Sequence, residues 1–415
     1  MVKDRIVLLD SLRGLAILGI LLCNIPLAAV PESVATSLTL WPHGMAPASV
    51  AVWFVTQVFF QQKFYSLFAM LFGASIILVG GEGDDRDRRR ILLLRLVSLL
   101  AIGLIHGFLI WQGDVLNTYA IVGLVALWAR SWSPRRLLQA GVGLHVGLSA
   151  WGGYKMLEHT AKGGGDPPAG AMSRFLAGVH ADALQYGGTF SQSLVQNAKD
   201  YGDFVLGSFT RWPPIWPLTV LALMLIGMGL YKLGVLSGKA SSGAYRGLIA
   251  AGLGALVIVG VAEAVYTVLP SHAWPVRAMA RWLQGATAPV VSLGYVGLMV
   301  MAARVKAWKT IPAILAPVGQ MAFTNYLTQS ILITGLLYGG RGPSLYGKVD
   351  RPFLAGAVVA IWAAQILWSR WWMARFTLGP LEWLWRLVYR GPMPLRRPAS
   401  SPLIPANAGT QVPEQ

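Results

Sequence analysis

The sequence predicts an all-α fold: a polytopic transmembrane helix bundle of about ten spans with both termini in the cytoplasm. Three observations lead there. Apolar runs close to the roughly 20 residues that a bilayer-crossing helix needs recur along the whole chain. Of the 415 residues, 55% are hydrophobic and only 12% are charged, against about 25% charged in an ordinary soluble domain. Lys and Arg gather in alternate connections between the runs, the pattern that sets orientation in membranes.

The first run, 6–29, reads IVLLDSLRGLAILGILLCNIPLAA. Lys3 and Arg5 before it and Leu27-Ala28-Ala29 at its end give it the outline of a signal peptide. Asp10 and Arg13 interrupt its apolar core, so it is expected to be a retained first span. The second run, 52–80, is overlong, and its start is expected in the interface. The remaining runs are 91–110, 114–130, 137–154, 215–233, 246–269, 285–303, 313–337 and 353–373.

Orientation follows from the basic connections. One set carries Lys3 and Arg5, then Arg86 to Arg90, then Arg130, Arg135 and Arg136, then Lys232, Lys239 and Arg246, then Arg304, Lys306 and Lys309, then the tail. The opposite set is poorer: none in 31–48 or 111–113, then Arg277 and Arg281, then Arg341, Lys348 and Arg351. The basic set is assigned to the cytoplasm. The transmembrane domain is then 1–390, with a long external loop, 155–214, read as a solvated loop or a lid. The tail 391–415 is rich in Pro, Ser and Ala and is expected to be disordered and cytoplasmic.

A net charge of +17 raises nucleic acid as a partner. No basic face interleaved with stacking aromatics appears, so no nucleic-acid partner is expected. Cys23 stands alone, which removes intrachain disulfides and cysteine-based zinc sites. No histidine pair has metal-ligand spacing on a helix, so no metal is expected.

Polar side chains inside the apolar runs are the candidates for chemistry, because charge in hydrocarbon is costly and usually faces a protein interior or a wet cavity. Asp10 and Arg13 share one helix face at i, i+3 near the cytoplasmic end. They read either as an interfacial ion pair or as part of a site. Asn24 lies three to four turns further out. Lys63 falls in the outer half of the second span, where it either snorkels to the surface or faces a cavity. His106 falls in the outer half of the third span, and Asp114 opens the fourth. They can meet across the tight turn between those spans, where a carboxylate would orient the imidazole of a general base. A histidine that only hydrogen-bonds a neighbouring helix is the other reading. Glu263 lies in the outer part of the seventh span. Asn325 and Gln329 lie one turn apart on the ninth and read as helix–helix glue.

The segments LDSLRGLAILGILLCNI, KFYSLFAMLFG, IGLIHGFLIWQGDVLNTYAIVGL, APVGQMAFTNYLTQSIL and TLGPLEWLWRLVYRG run in order from Asp10 to Arg390. Together they resemble the YeiB-type bacterial membrane proteins, the domain of unknown function 418 family, which is associated loosely with transport. More distantly, the chain is similar to the transmembrane acyltransferases typified by heparan-alpha-glucosaminide N-acetyltransferase. Their first helix also carries a charged start, an Arg-Gly pair and a later asparagine, matched here by Asp10, Arg13-Gly14 and Asn24. Their catalytic histidine follows that asparagine in a loop whose only histidine here is His43, whereas His106 belongs to the YeiB pattern.

The resemblance implies a multi-pass protein of the bacterial inner membrane that moves an acyl group from acyl-CoA (acetyl-CoA) to an envelope glycan or lipid acceptor. His106, Asp114 and Asn24 are then the catalytic candidates, with Asn24 donating to the oxyanion. Asp10, Arg13 and Lys63 are the candidates for holding the donor. Membrane lipids surround the protein, and a homodimer follows by analogy with the distant relatives. The rival expectation is a secondary transporter or exporter using Asp10, Glu263 and His106 as a proton relay.

Overall fold

In the computed structural model, residues 7–83, 85–162, 171–269 and 274–396 are described. Lys3, Arg5 and tail residues 397–415 lie outside them. The helices in chain order are α1 (Val7–Ala29), α2 (Glu32–Ala35), α3 (Pro47–Val55), α4 (Lys63–Gly80), α5 (Arg86–Leu109), α6 (Leu116–Ala126), α7 (Pro134–Ala161) and α8 (Ala171–Tyr186). They continue with α9 (Phe190–Thr210), α10 (Ile215–Lys232), α11 (Ser242–Val268), α12 (Trp274–Arg304), α13 (Thr310–Gln320), α14 (Ala322–Leu337), α15 (Arg351–Arg375) and α16 (Pro380–Arg390). No strand occurs among the described residues; a single bridge links Phe376 to Arg396.

Seven helical segments are long and apolar enough to cross a membrane: α1, Pro47–Gly80, α5, α10, α11, α12 and α15. Their outward faces stay apolar, with Ile105, Val261 and Leu367 all more than half exposed. A soluble monomer rarely leaves so broad an apolar belt in water. The protein is a multi-pass membrane protein. The other three expected spans coincide with a short helix (Leu116–Ala129 including a terminal 3-10 turn), the 28-residue α7, and a broken pair, α13 and α14.

Helix α1 lies at the centre, against α13, α4, α14, α15 and α12. Its closest approach is to α13, through two glycines. A Cβ on Gly14 would strike the Leu315 carbonyl, and one on Gly319 would strike the Asp10 carbonyl. Lipid gives helices no hydrophobic push toward one another, so such backbone contact and interhelical hydrogen bonds carry the association. Asn325 and Gln329 fit this pattern. Asn325 Nδ2 donates to Ser369 Oγ (3.0 Å) and Gln329 Nε2 to Gln365 Oε1 (2.8 Å), tying α14 to α15.

Two expected spans are interrupted. In the second, a π-helical turn at Thr56–Phe60 ends at Gln61, and Gln62 takes a left-handed conformation with φ 66° before α4 begins. In the ninth, Pro317 removes a backbone donor and the helix breaks at Met321. The first backbone N–H groups of α14 then need partners. Glu382 of α16 supplies them, accepting from Phe323 N (2.7 Å), Thr324 N (3.0 Å) and Thr324 Oγ1 (2.6 Å). Burial raises the Glu382 carboxyl above its ordinary range, and these donors oppose that rise. Glu382→Ala is expected to cost about 1–3 kcal/mol, the penalty for stranding buried donors. The check is the thermal midpoint in detergent; an unchanged midpoint would show that the carboxylate does not hold α14.

The expected loop 155–214 is largely helical. Helix α7 runs on to Ala161, and α8 and α9 fold back over the end of the bundle that carries the α5–α6 turn.

Candidate functional site

The site is assembled where α5 ends and α6 begins. Gly103 and Gly107 leave one face of α5 bare. A Cβ on Gly103 would lie 2.6 Å from Asn117 N, and one on Gly107 would run into the Tyr201 ring. Helices α6 and α9 therefore seat directly on α5, on either side of His106. The chain turns through Trp111, which is buried, and Asp114 accepts a hydrogen bond from Asn117 N (3.1 Å), capping the first turn of α6.

His106 Nδ1 lies 2.9 Å from Asp114 Oδ1, and both side chains are essentially inaccessible. Asp114 Oδ2 also takes Asn117 N and lies 3.3 Å from the Tyr201 hydroxyl, which is equally within reach of the Gly103 carbonyl (3.2 Å). A carboxylate surrounded by donors is an acceptor, so the proton of the neutral imidazole sits on Nδ1. That leaves the Nε2 lone pair available. Nε2 is buried and has no hydrogen-bond partner among the described residues, while the Tyr326 ring centroid lies 5.4 Å from the imidazole's. A histidine–carboxylate pair with this geometry can serve as a general base and its orienting partner.

Helices α8 and α9 close over the pair. Asn197 Nδ2 donates to the Gly107 and Phe108 carbonyls (2.8 and 3.1 Å), and its Oδ1 accepts Gln112 N at 2.7 Å. The Tyr186 hydroxyl lies 2.8 Å from both Gln112 Oε1 and Asp200 Oδ2. Gln196 Nε2 donates to Asp200 Oδ1 at 2.9 Å. Burial, and then the neighbouring Asp200, raise the Asp182 carboxyl above its ordinary range. Arg341 donates to the Leu109 and Ile110 carbonyls at the end of α5, where a cation complements the helix dipole.

The remaining candidates do not join this group by any hydrogen bond. Asp10 and Arg13 form an ion pair at 2.9 Å at the opposite end of α1 from the α5–α6 turn. Asn24 is half-buried on α1 and makes no side-chain hydrogen bond among the described residues. Lys63 is fully buried at the break before α4, and its Nζ donates to the Gln57 carbonyl at 2.9 Å. It belongs to a second polar group, in which Gln284 Nε2 donates to Gln57 Oε1 (3.1 Å) and to Glu263 Oε1. Cys23 and Glu263 lie within electrostatic reach of Lys63. A small cleft of ≈ 30 Å³, lined by Cys23, Gln57, Gln61 and Arg351, adjoins this group. The candidates are thus dispersed: His106 with Asp114, Lys63 in the Gln57–Glu263 group, Asp10 with Arg13, and Asn24 in none of these. Among the described residues no group of three metal-capable side chains occurs.

Tyr201 and Asn197 escape a reading of the sequence that treats 155–214 as a loop. A signal was present: Thr189-x-x-Gln192 is a capping box, and it opens α9 in the structure.

Comparison with known proteins bears on this geometry. A family model described as "Protein of unknown function (DUF418)" matches residues 230–391. The chain is 31% identical over 401 residues to "Uncharacterized protein YeiB" of Escherichia coli strain K12, covering 92% of this chain and 96% of that protein. It is 29% identical to "Uncharacterized protein YxaH" of Bacillus subtilis strain 168, covering 92% and 94%. A Bacillus acidopullulyticus protein from the amylase 3' region is 24% identical over 93% of this chain. No solved structure matches.

Proposed function

We propose, for a chain that belongs to the YeiB-type DUF418 family, that it is an acyltransferase of the bacterial inner membrane, using acyl-CoA to acylate an envelope glycan or lipid. The observation that carries the reading is the buried His106–Asp114 pair with an unpartnered Nε2. His106 takes the proton from an acceptor hydroxyl or amine. Asp114 stabilises the imidazolium that results, and His106 returns the proton to the departing thiolate. The oxyanion role of Asn24, which lies outside the His106 hydrogen-bond group, rests on the resemblance of the first helix alone.

The donor supplies an activated thioester, and the basic end of the bundle suits its phosphates. Arg95 lies within electrostatic reach of Arg13, Arg386 and Arg390, so three helices bring cations together there. His106 stands on the same helix as Arg95, about 16 Å further along the axis at 1.5 Å per residue. An extended donor would span that distance. Arg13 and Asp10 are the proposed holders at the basic end; Lys63 contributes positive charge in the outer half. The acceptor enters beneath α8 and α9, which must lift to admit it.

The test is full-length protein in detergent with acetyl-CoA and a membrane lipid extract. Release of free CoA together with labelled acetyl in the extract is expected. Absence of both, with the protein folded, sinks the reading.

A second reading has its own support. Discontinuous helices form the binding sites of many secondary transporters, and the break at Gln61–Gln62 places Lys63 near Glu263. Proton-driven uptake or efflux in vesicles that needs no CoA and fails in Glu263→Gln would favour that reading.

A further inference from the structure

The geometry points to a binding site for one anionic phospholipid, with an acyl chain between α6 and α10 and its phosphate at the start of α7. This site is separate from the His106 centre and does not depend on the acyltransferase reading. Helix α6 with its 3-10 extension runs only from Leu116 to Ala129. At 1.5 Å per residue that is about 21 Å, short of the roughly 30 Å hydrocarbon core. Below its end a groove of ≈ 550 Å³ opens, lined by Leu124, Trp128, Trp132, Leu221 and Leu225. The volume falls within the range of ligand pockets. Along α10, Leu225 and Leu221 lie about 10 and 16 Å from Lys232, so the groove runs from the basic end into the membrane.

The rim selects the headgroup. Trp128 is 84% exposed, and Arg136 stacks over the Trp132 ring at 4.2 Å. Arg135 and Arg136 are both exposed in the first turn of α7, where the helix dipole also favours an anion. The turn between the helices is already held: Lys232 Nζ donates to the Arg130 and Trp132 carbonyls and pairs with Glu82 at 3.5 Å. Arg136 stands over Trp132 at the groove mouth, and Arg135 beside it in sequence is exposed, with no side-chain hydrogen bond or ion pair among the described residues. A second copy of this chain on the same face would bring another arginine pair against the first, so like charge disfavours it and an anionic lipid fits.

The experiment is native mass spectrometry of the full chain in mild detergent, with phosphatidylglycerol and phosphatidylethanolamine at equal concentration and glycerol phosphate in a parallel arm. Retained phosphatidylglycerol is expected to exceed phosphatidylethanolamine, by about fivefold per arginine engaged. Arg135→Gln with Arg136→Gln, both at exposed positions, should bring the ratio near one. Val125→Trp, at a lipid-facing position of the groove, should lower retention of both lipids. The proposal is overturned if the two lipids bind equally, or if the double variant keeps the preference. It is also overturned if glycerol phosphate is retained as well as the lipid, or if a dimer forms that Val125→Trp abolishes.

Discussion

Gly319→Val is expected to leave almost no correctly folded protein. Its Cβ would enter the space of the Asp10 carbonyl and lie 2.6 Å from Gly14 N. Those are backbone atoms, so no rotamer change relieves the clash. Helices α1 and α13 would have to separate, and α1 also carries the contacts to α4, α14 and α15. Overpacking of side chains costs about 1–3 kcal/mol, and a backbone collision should exceed that range. The measurement is the yield of monodisperse protein on size exclusion in detergent. Gly254→Val is the control, since nothing lies within 4 Å of the Cβ it would add. Equal yields from the two variants would mean that α1 and α13 are not held in this contact.

His106→Gln should lower CoA release by about 10²–10⁴-fold, the usual contribution of a positioned general base. Glutamine retains a donor and an acceptor, so the pocket stays polar and filled. Binding of acetyl-CoA and the thermal midpoint should remain near wild type. A loss of activity that tracks a loss of folded protein would mark His106 as structural. Full activity in a folded His106→Gln protein would remove it from the chemistry. Asp114→Asn should cost as much, about 10⁴-fold: with its amide oxygen kept on the α6 cap, its Nδ2 faces His106 Nδ1, the imidazole proton moves to Nε2 and the base is lost.

Much of this architecture was legible because the bilayer imposes it. Apolar length and the placement of arginines identify the spans of α1, α5, α10, α11, α12 and α15 without reference to packing. The meeting of His106 with Asp114 was also legible, since a turn of a few residues leaves them little choice. The helix breaks were not. Gln61–Gln62 and Met321 sit inside long runs read as single spans, and each break is held by a partner elsewhere in the chain, six residues back at the first and some sixty residues on at the second. Lys63 takes the Gln57 carbonyl at one, and Glu382 takes the Phe323 and Thr324 donors at the other. Hydropathy sees neither. The same reason separates Lys63 from His106: depth follows from position along a span, but the face toward which a side chain turns depends on which helices pack beside it.

The contact between Glu382 and α14 limits how far the chain can be shortened. A segment that looks like a surface appendage completes the interior from some sixty residues away in sequence. Trimming before Pro380 would strand the start of α14 next to α1, whereas tags and reporters belong beyond the bridge at Arg396.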